Sequence, residues 1–307
     1  MLSTTFLGVN FKNPIIAASG TYGYGREYES IIPLETLGGI SVKGTTLLPR
    51  SGNKPPRIAE TPSGMLNSVG LQNPGVDAFI KNDLPYLRSK DIAVIANISG
   101  NTPDEYAELA RKLDIPGVDI IEVNISCPNI REGGKSFGAD PKAAGAVTAA
   151  VKAAAGKPVM VKLTPNVTSI VEIAKAVEAA GADALSLINT LTAMRIDIKT
   201  KKPILGNNTG GLSGPAIFPV AVRMVYEASR AVKIPVCGMG GIETPEDAIE
   251  IMMAGAACVQ IGAAIFRDAY APKKIVDGLG EYCTENGLKN ISEIVGSVKF
   301  NERDNQW

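Results

Sequence analysis

The segment "IAVIANISGNTPDEYAELARKLDIPGVDIIEVNISC", residues 92–127, decides the fold. It opens on a short β-branched apolar run from Ile92 and closes on another from Ile120. Between them, "TPDEYAELARKL" carries apolar residues at helical spacing. Thr102 is a cap candidate there, followed by the proline and acidic residues favoured in a first helical turn. The reading is strand, helix, strand.

Working outward, the same rhythm recurs. "PIIAASG" from Pro14 and "GGISVKG" from Gly38 read as strands before this segment. "PVMVKLTPN" from Pro158, "ALSLINTL" from Ala184, "PVCGMGGI" from Pro235 and "CVQIGAAIF" from Cys258 read as strands after it. "VTSIVEIAKAVEAAGA" and "TPEDAIEIMMAGA" read as helices between them. Eight strands alternating with helices predict an α/β fold, a (β/α)8 TIM barrel spanning residues 1–307 as a single domain, with loops inserted at the C-terminal face of the strands. A doubly wound sheet is the competitor, since periodicity does not show closure. The count of eight favours the barrel, as does the lack of a GxGxxG fingerprint after the first strand. "GTYGYG" at Gly20 has the wrong spacing, and "GMGGIE" at Gly238 comes late, with Glu243 where the third glycine belongs. Residues 47–72 and 191–214 read as long loops of the kind that serve as lids or binding loops.

Composition narrows the class. Hydrophobic residues are 45% and charged residues 20% of 307, as in ordinary globular proteins. Lys plus Arg equal Asp plus Glu at 31 each, so no sequence-independent attraction to nucleic acid or anionic lipid is expected. Cys127, Cys237, Cys258 and Cys283 are scattered with no histidine in the chain, which argues against a metal or iron–sulfur site of its own. No basic n-region opens the chain and no apolar stretch approaches a membrane span, so a reducing cytoplasm with free thiols is the expected setting.

In such a barrel the working groups stand at the C-terminal ends of the strands. Those positions hold Ser19, Lys43, Asn97, Asn124, Cys127, Lys162, Asn189, Thr190, Gly240, Gly241, Gly262 and Ala263, with no Asp or Glu. Paired glycosidase carboxylates and a hard magnesium cage are thereby set aside. A neutral or anionic planar ligand rich in hydrogen-bonding groups suits what remains. The glycines of "GMGGIETPEDA" read equally as tight turns or as a phosphate site. Lys43 and Lys162 lie in apolar strands, where an ammonium is costly without an anionic partner. That partner is a ligand or a distant carboxylate. Cys127 is a free thiol, a type most often buried and inert, yet it stands at a strand end before a glycine-bearing loop. Cys237, Cys258 and Cys283 lack that context and read as packing residues.

Taken in order, "SVKGTT", "NSVGLQNPG", "IEVNISCPN", "VKLTPN", "INTL", "GGLSGPAI", "CGMGGI" and "QIGAAIF" make the chain resemble the dihydroorotate dehydrogenases from about Phe6 to Phe300. It is most similar to class 1, whose base is cysteine, rather than to the membrane-associated class, which uses serine and an N-terminal extension. The resemblance implies FMN across the barrel mouth. Ser19, Lys43, Gly44, Asn97, Asn124, Lys162 and Ile188 would meet its ring and ribityl chain, and Gly214, Gly240, Gly241, Gly262 and Ala263 its phosphate end. Dihydroorotate would be held by Lys43, the loop Asn67, Ser68, Val69, Gly70 and Leu71, then Asn124, Asn129, Asn189 and Thr190. Cys127 would take the C5 proton while the flavin takes the C6 hydride. An unperturbed thiol pKa of about 8.5 gives an appreciable thiolate fraction near neutrality with a modest electropositive bias, so no histidine is needed.

"NSVGLQNPG" and the "MRIDIKTKKPILGNNTGG" insert resemble the B-type branch, whose catalytic subunit passes electrons to NAD through a partner carrying FAD and a [2Fe-2S] cluster. A heterotetramer around a homodimer of this chain is then expected, without metal, nucleic acid or membrane. Trp307 reads as a tail or a subunit contact. The alternatives are a fumarate-linked class 1 enzyme, a flavin barrel acting on dihydrouracil or on dihydrouridine in tRNA, and a colourless barrel lyase using Lys162 as a Schiff-base amine.

Overall fold

Eight parallel strands close on themselves in the computed structural model, which describes residues 1–126, 137–299 and 301. They are β1 (Ile15–Ala17), β2 (Gly39–Ser41), β3 (Ala93–Ile98) and β4 (Ile120–Asn124), then β5 (Val159–Lys162), β6 (Ala184–Leu187), β7 (Val236–Met239) and β8 (Ala256–Ile261). β8 pairs with β1 in the register Val259↔Ile15 and Ile261↔Ala17, which completes the ring. Each of the eight expected runs supplies one barrel strand, so the doubly wound alternative falls. Cys127, Asn129 and Trp307 lie outside the described residues.

The surrounding helices are α1 (Pro103–Leu113), α2 (Pro141–Ala154), α3 (Ile170–Ala179), α4 (Phe218–Ala231), α5 (Pro245–Met253) and α6 (Ala271–Glu285). Their starts follow the cap chemistry in the sequence. Thr102 Oγ1 accepts from the Glu105 N–H at 3.2 Å. Thr244 and Asp247 form a reciprocal capping box at α5.

The strands alternate sides, and the core divides accordingly. Ile40, Val94, Val123, Val161, Leu185 and Val259 pack outward with helix residues such as Tyr106, Leu109, Val147 and Ile173. Ile16, Ile95, Ile120, Met160, Ala184, Cys237 and Cys258 form a separate cluster inside the barrel. Phe6 and Phe11 join that inner cluster, their rings meeting edge to face at 6.3 Å. They belong to a hairpin of Thr4–Phe6 and Val9–Phe11, whose two-residue turn puts Leu7 at φ 56° and Gly8 at φ 76°. The hairpin plugs the N-terminal end of the barrel.

The two stretches read as loops are partly strand. Leu191–Ala193, Gly210–Ser213, Gly64–Asn67 and Ile58–Thr61 pair in that order as an antiparallel sheet. Gly211 pairs with Asn67 and Leu212 with Leu66, so two insertions distant in sequence become one cover. Strands of three or four residues offer too little alternation to read from sequence.

Candidate active site

Inward positions turn polar on rising from the Phe6–Phe11 plug. Above Ile95, Met160 and Cys237 come Ser41, Glu122, Ser186 and Gln260, one each from β2, β4, β6 and β8. Side chains from alternate strands filling one tier is the barrel's own packing rule. Here the tier is polar because Glu122, fully buried, sits in it. Its Oε2 accepts from Ser41 Oγ at 2.6 Å and from Asn97 Nδ2 at 2.6 Å. Its Oε1 accepts from Ser186 Oγ at 2.8 Å and Gln260 Nε2 at 2.7 Å. Burial opposes the charge, but the Lys162 ammonium and the bonds from Ser41, Gln260 and Asn97 outweigh it. The Glu122 carboxyl therefore sits below the usual carboxylate range.

The next tier carries Asn97 on β3, opposite Glu122 in register, and Lys162 on β5, opposite Asn124. Lys43 follows just beyond β2, and burial, then the Lys162 charge, pull its ammonium below the ordinary lysine value. The anionic partner demanded for a buried lysine is thus partly internal. A reading of strand ends does not reach Glu122, which lies mid-strand. The one signal was an acidic residue inside the apolar run "IIEVN".

A cavity opens above these tiers. Of the expected site residues, Ser19, Lys43, Gly44, Asn67, Val69, Leu71, Lys162, Ile188, Asn189, Thr190, Gly214, Gly240, Gly241, Gly262 and Ala263 line it. The loop contributes Asn67, Val69 and Leu71, with Gly70 and Leu71 at left-handed φ of 77° and 54°. Ser68 and Gly70 do not line it: Asn53 Nδ2 donates to the Ser68 carbonyl at 2.9 Å, and a Cβ on Gly70 would run into Asn53. Asn124 stands behind the wall, its Oδ1 accepting from the Ser126 N–H at 3.1 Å and facing Asn189 Nδ2 at 3.5 Å. Asn97 is fully buried beside Gly44. The cavity also takes in Gln260, Met239, Met65, Ile58 and Phe266, which sequence reading did not single out.

Backbone shape at the far wall suits close approach by a ligand. Gly240 and Gly241 have φ 119° and 77°, and a Cβ on Gly241 would stand 2.8 Å from the Phe218 nitrogen at the start of α4. Gly262 differs. A Cβ there would meet only Ala18 and Thr21 at 3.6 and 3.8 Å, so its protein neighbours leave it room. At the floor, Asn97 Oδ1 and Gln260 Oε1 are buried with no hydrogen-bond partner among the described residues. Buried acceptors are rarely left unpaired, and these two stand beside the cavity. Two ammoniums, two unpaired acceptors and a glycine-lined wall fit a planar, N–H-bearing ring with an anionic tail.

Comparison with known proteins agrees with this chemistry. The family profile described as dihydroorotate dehydrogenase matches residues 1–283. A Geotalea uraniireducens protein, the catalytic subunit of dihydroorotate dehydrogenase B (NAD(+)), is 53% identical over 298 residues, covering 97% of this chain and 98% of that protein. Proteins of the same description from Thermoanaerobacter sp. (strain X514) and Geobacter sulfurreducens are 55% and 53% identical. They cover 95% and 97% of this chain, and 97% and 98% of their own lengths.

Proposed function

The chain belongs to the dihydroorotate dehydrogenase family, and we propose that it oxidises dihydroorotate to orotate in UMP synthesis, using FMN held at the barrel mouth. It is an oxidoreductase. FMN, when bound, supplies the acceptor for the hydride that leaves C6. Everything else falls to side chains of this protein.

Cys127, directly after the described Ser126, takes the C5 proton as a thiolate. Lys43 and Lys162 stabilise negative charge that accumulates on the cofactor side of the cavity. Asn67, Asn189 and Thr190, with Asn124 behind them and Asn129 after the cysteine, match the alternating N–H and C=O groups of a dihydropyrimidine rim. Ser19, Gly44 and Ile188 would contact the flavin, with Asn97 buried behind Gly44. Gly214, Gly240, Gly241, Gly262 and Ala263 would hold its phosphate with backbone groups near the start of α4.

The observation that carries this reading is the floor: Lys43 and Lys162 on one cavity with two unpaired buried amide oxygens. A Schiff-base role for Lys162 fits less well, because it gives no use to the two unpaired amide oxygens at the floor.

A partner subunit bearing FAD and a [2Fe-2S] cluster would carry the electrons to NAD, in a heterotetramer around a homodimer of this chain. The wording shared by the relatives, an NAD(+) enzyme's catalytic subunit, supports this over a fumarate-linked enzyme. Among the described residues no helix is long and apolar enough to cross a membrane. Unpaired Cys237, Cys258 and Cys283 suit a reducing cytoplasm.

The test is the visible spectrum of the purified protein under anaerobic conditions. The expected result is a yellow protein that bleaches when dihydroorotate is added. A colourless protein that gains no colour with FMN would overturn the reading.

A further inference from the structure

Glu122 touches nothing that reacts, yet it fixes how the floor of the cavity presents itself. An ionised carboxylate only accepts hydrogen bonds, so both amides that reach it must turn their NH2 groups toward it. Asn97 Nδ2 does so at 2.6 Å and Gln260 Nε2 at 2.7 Å. Their carbonyl oxygens are left facing away, buried and without partners among the described residues, with Gln260 on the cavity wall and Asn97 beside Gly44. The Ser41 and Ser186 hydroxyls fill the remaining carboxylate positions, so the arrangement is fixed by strands β2, β3, β6 and β8 at once.

Resting on the FMN reading above, we propose that Glu122 is a positioning residue that sets the reduction potential of the bound flavin. It locks Asn97 and Gln260 with their acceptors toward the ring, and it offsets the charge of Lys162. Two lysines alone would favour a reduced, anionic ring strongly. A carboxylate and two oriented carbonyl dipoles beneath it counter that preference, which suits a chain that must pass its electrons on. Glutamine at position 122 would remove the charge and, being a donor as well as an acceptor, would release both amides to turn. Both changes favour the reduced ring.

The test is the midpoint potential of FMN-loaded Glu122→Gln against wild type, with Ser186→Ala as a control that keeps the carboxylate and both amides. The potential of Glu122→Gln is expected to rise by the equivalent of about tenfold in the reduced-to-oxidised ratio, ~30 mV for a two-electron couple. Ser186→Ala is expected to stay near wild type. Gln260→Met serves where Glu122→Gln does not fold: it removes one oriented acceptor and is expected to give a smaller rise. A folded, FMN-bound Glu122→Gln at the wild-type potential overturns the proposal, as does an unmoved Gln260→Met. Wild type that fails to bind FMN overturns the functional reading itself, and the proposal with it.

Discussion

The lower and upper halves of the barrel interior are built on the same strands, a few residues apart, and differ only in what points inward. Below, Phe6, Phe11, Ile16, Ile95, Ile120 and Met160 surround Cys237 and Cys258. Those groups need no partner, and burying them stabilises the fold by roughly 1.5–3 kcal/mol per large side chain. Above, Glu122, Asn97, Lys162 and Lys43 are retained although a buried polar group costs free energy unless it is paired. Glu122 is paired four times over, while the amide oxygens and ammoniums above it are completed only in part. The lower half holds the barrel together. The upper half leaves hydrogen-bonding groups unpaired beside the cavity.

The cysteines give the largest test of that division. Replacing Cys127 with serine is expected to leave FMN bound while slowing its reduction by dihydroorotate about 10²–10⁴-fold, the usual worth of a positioned base. Anaerobic stopped-flow measures it, and an unchanged rate would put Cys127 in the same inert class as Cys237. In the wild type this rate should climb with pH as the thiol ionises.

Phe11→Ala is expected to cost about 3–5 kcal/mol in urea unfolding with the flavin potential unmoved. A parallel shift in potential would show that the two halves are not independent.

Cys258→Ser would leave a buried hydroxyl in an apolar cluster and cost about 1–3 kcal/mol. Burial pushes the Cys258 thiol up to about 12, and pushes Cys237 well above its usual value, helped by Cys258 and Glu122. A raised pKa means almost no thiolate at about pH 8, where an ordinary thiol is partly ionised. Mass spectrometry after native alkylation should therefore find both unmodified, and labelling of either would break the comparison.

The smallest effect sharpens it. Gly262→Ala meets only ordinary contacts, so stability should move by no more than about 0.5 kcal/mol. FMN affinity should nevertheless fall about tenfold, the worth of ~1.4 kcal/mol, because the added methyl enters ligand space. Titration of the apoprotein followed by flavin fluorescence measures it, and equal affinities would remove Gly262 from the cofactor wall.

Much of the barrel and part of its site are legible in the chain. β-branched runs such as "IAVIANI" and capped helices such as the one after Thr102 mark each βα step. Reading strand ends then reaches Lys43, Lys162, Asn189 and the glycines at 240 and 241, which meet on one cavity. It misses Ser41, Glu122, Ser186 and Gln260. Parallel barrel strands are buried on both faces, so their hydrophobicity does not alternate and inward positions look like outward ones. The N-terminal hairpin escapes for a related reason: three residues on each side of a Leu7-Gly8 turn carry too short a pattern.

By itself the sequence determined the number and order of the barrel strands, the helix starts and the residue types waiting at the strand ends, because each follows from local periodicity and cap chemistry. Only the tertiary structure decided which side chains share a tier and which insertions share a sheet. Four donors reach Glu122 across separations of 25 to 138 residues. A carboxylate becomes tolerable inside a barrel only when closure brings such distant groups within hydrogen-bonding distance at once, and no local pattern records that.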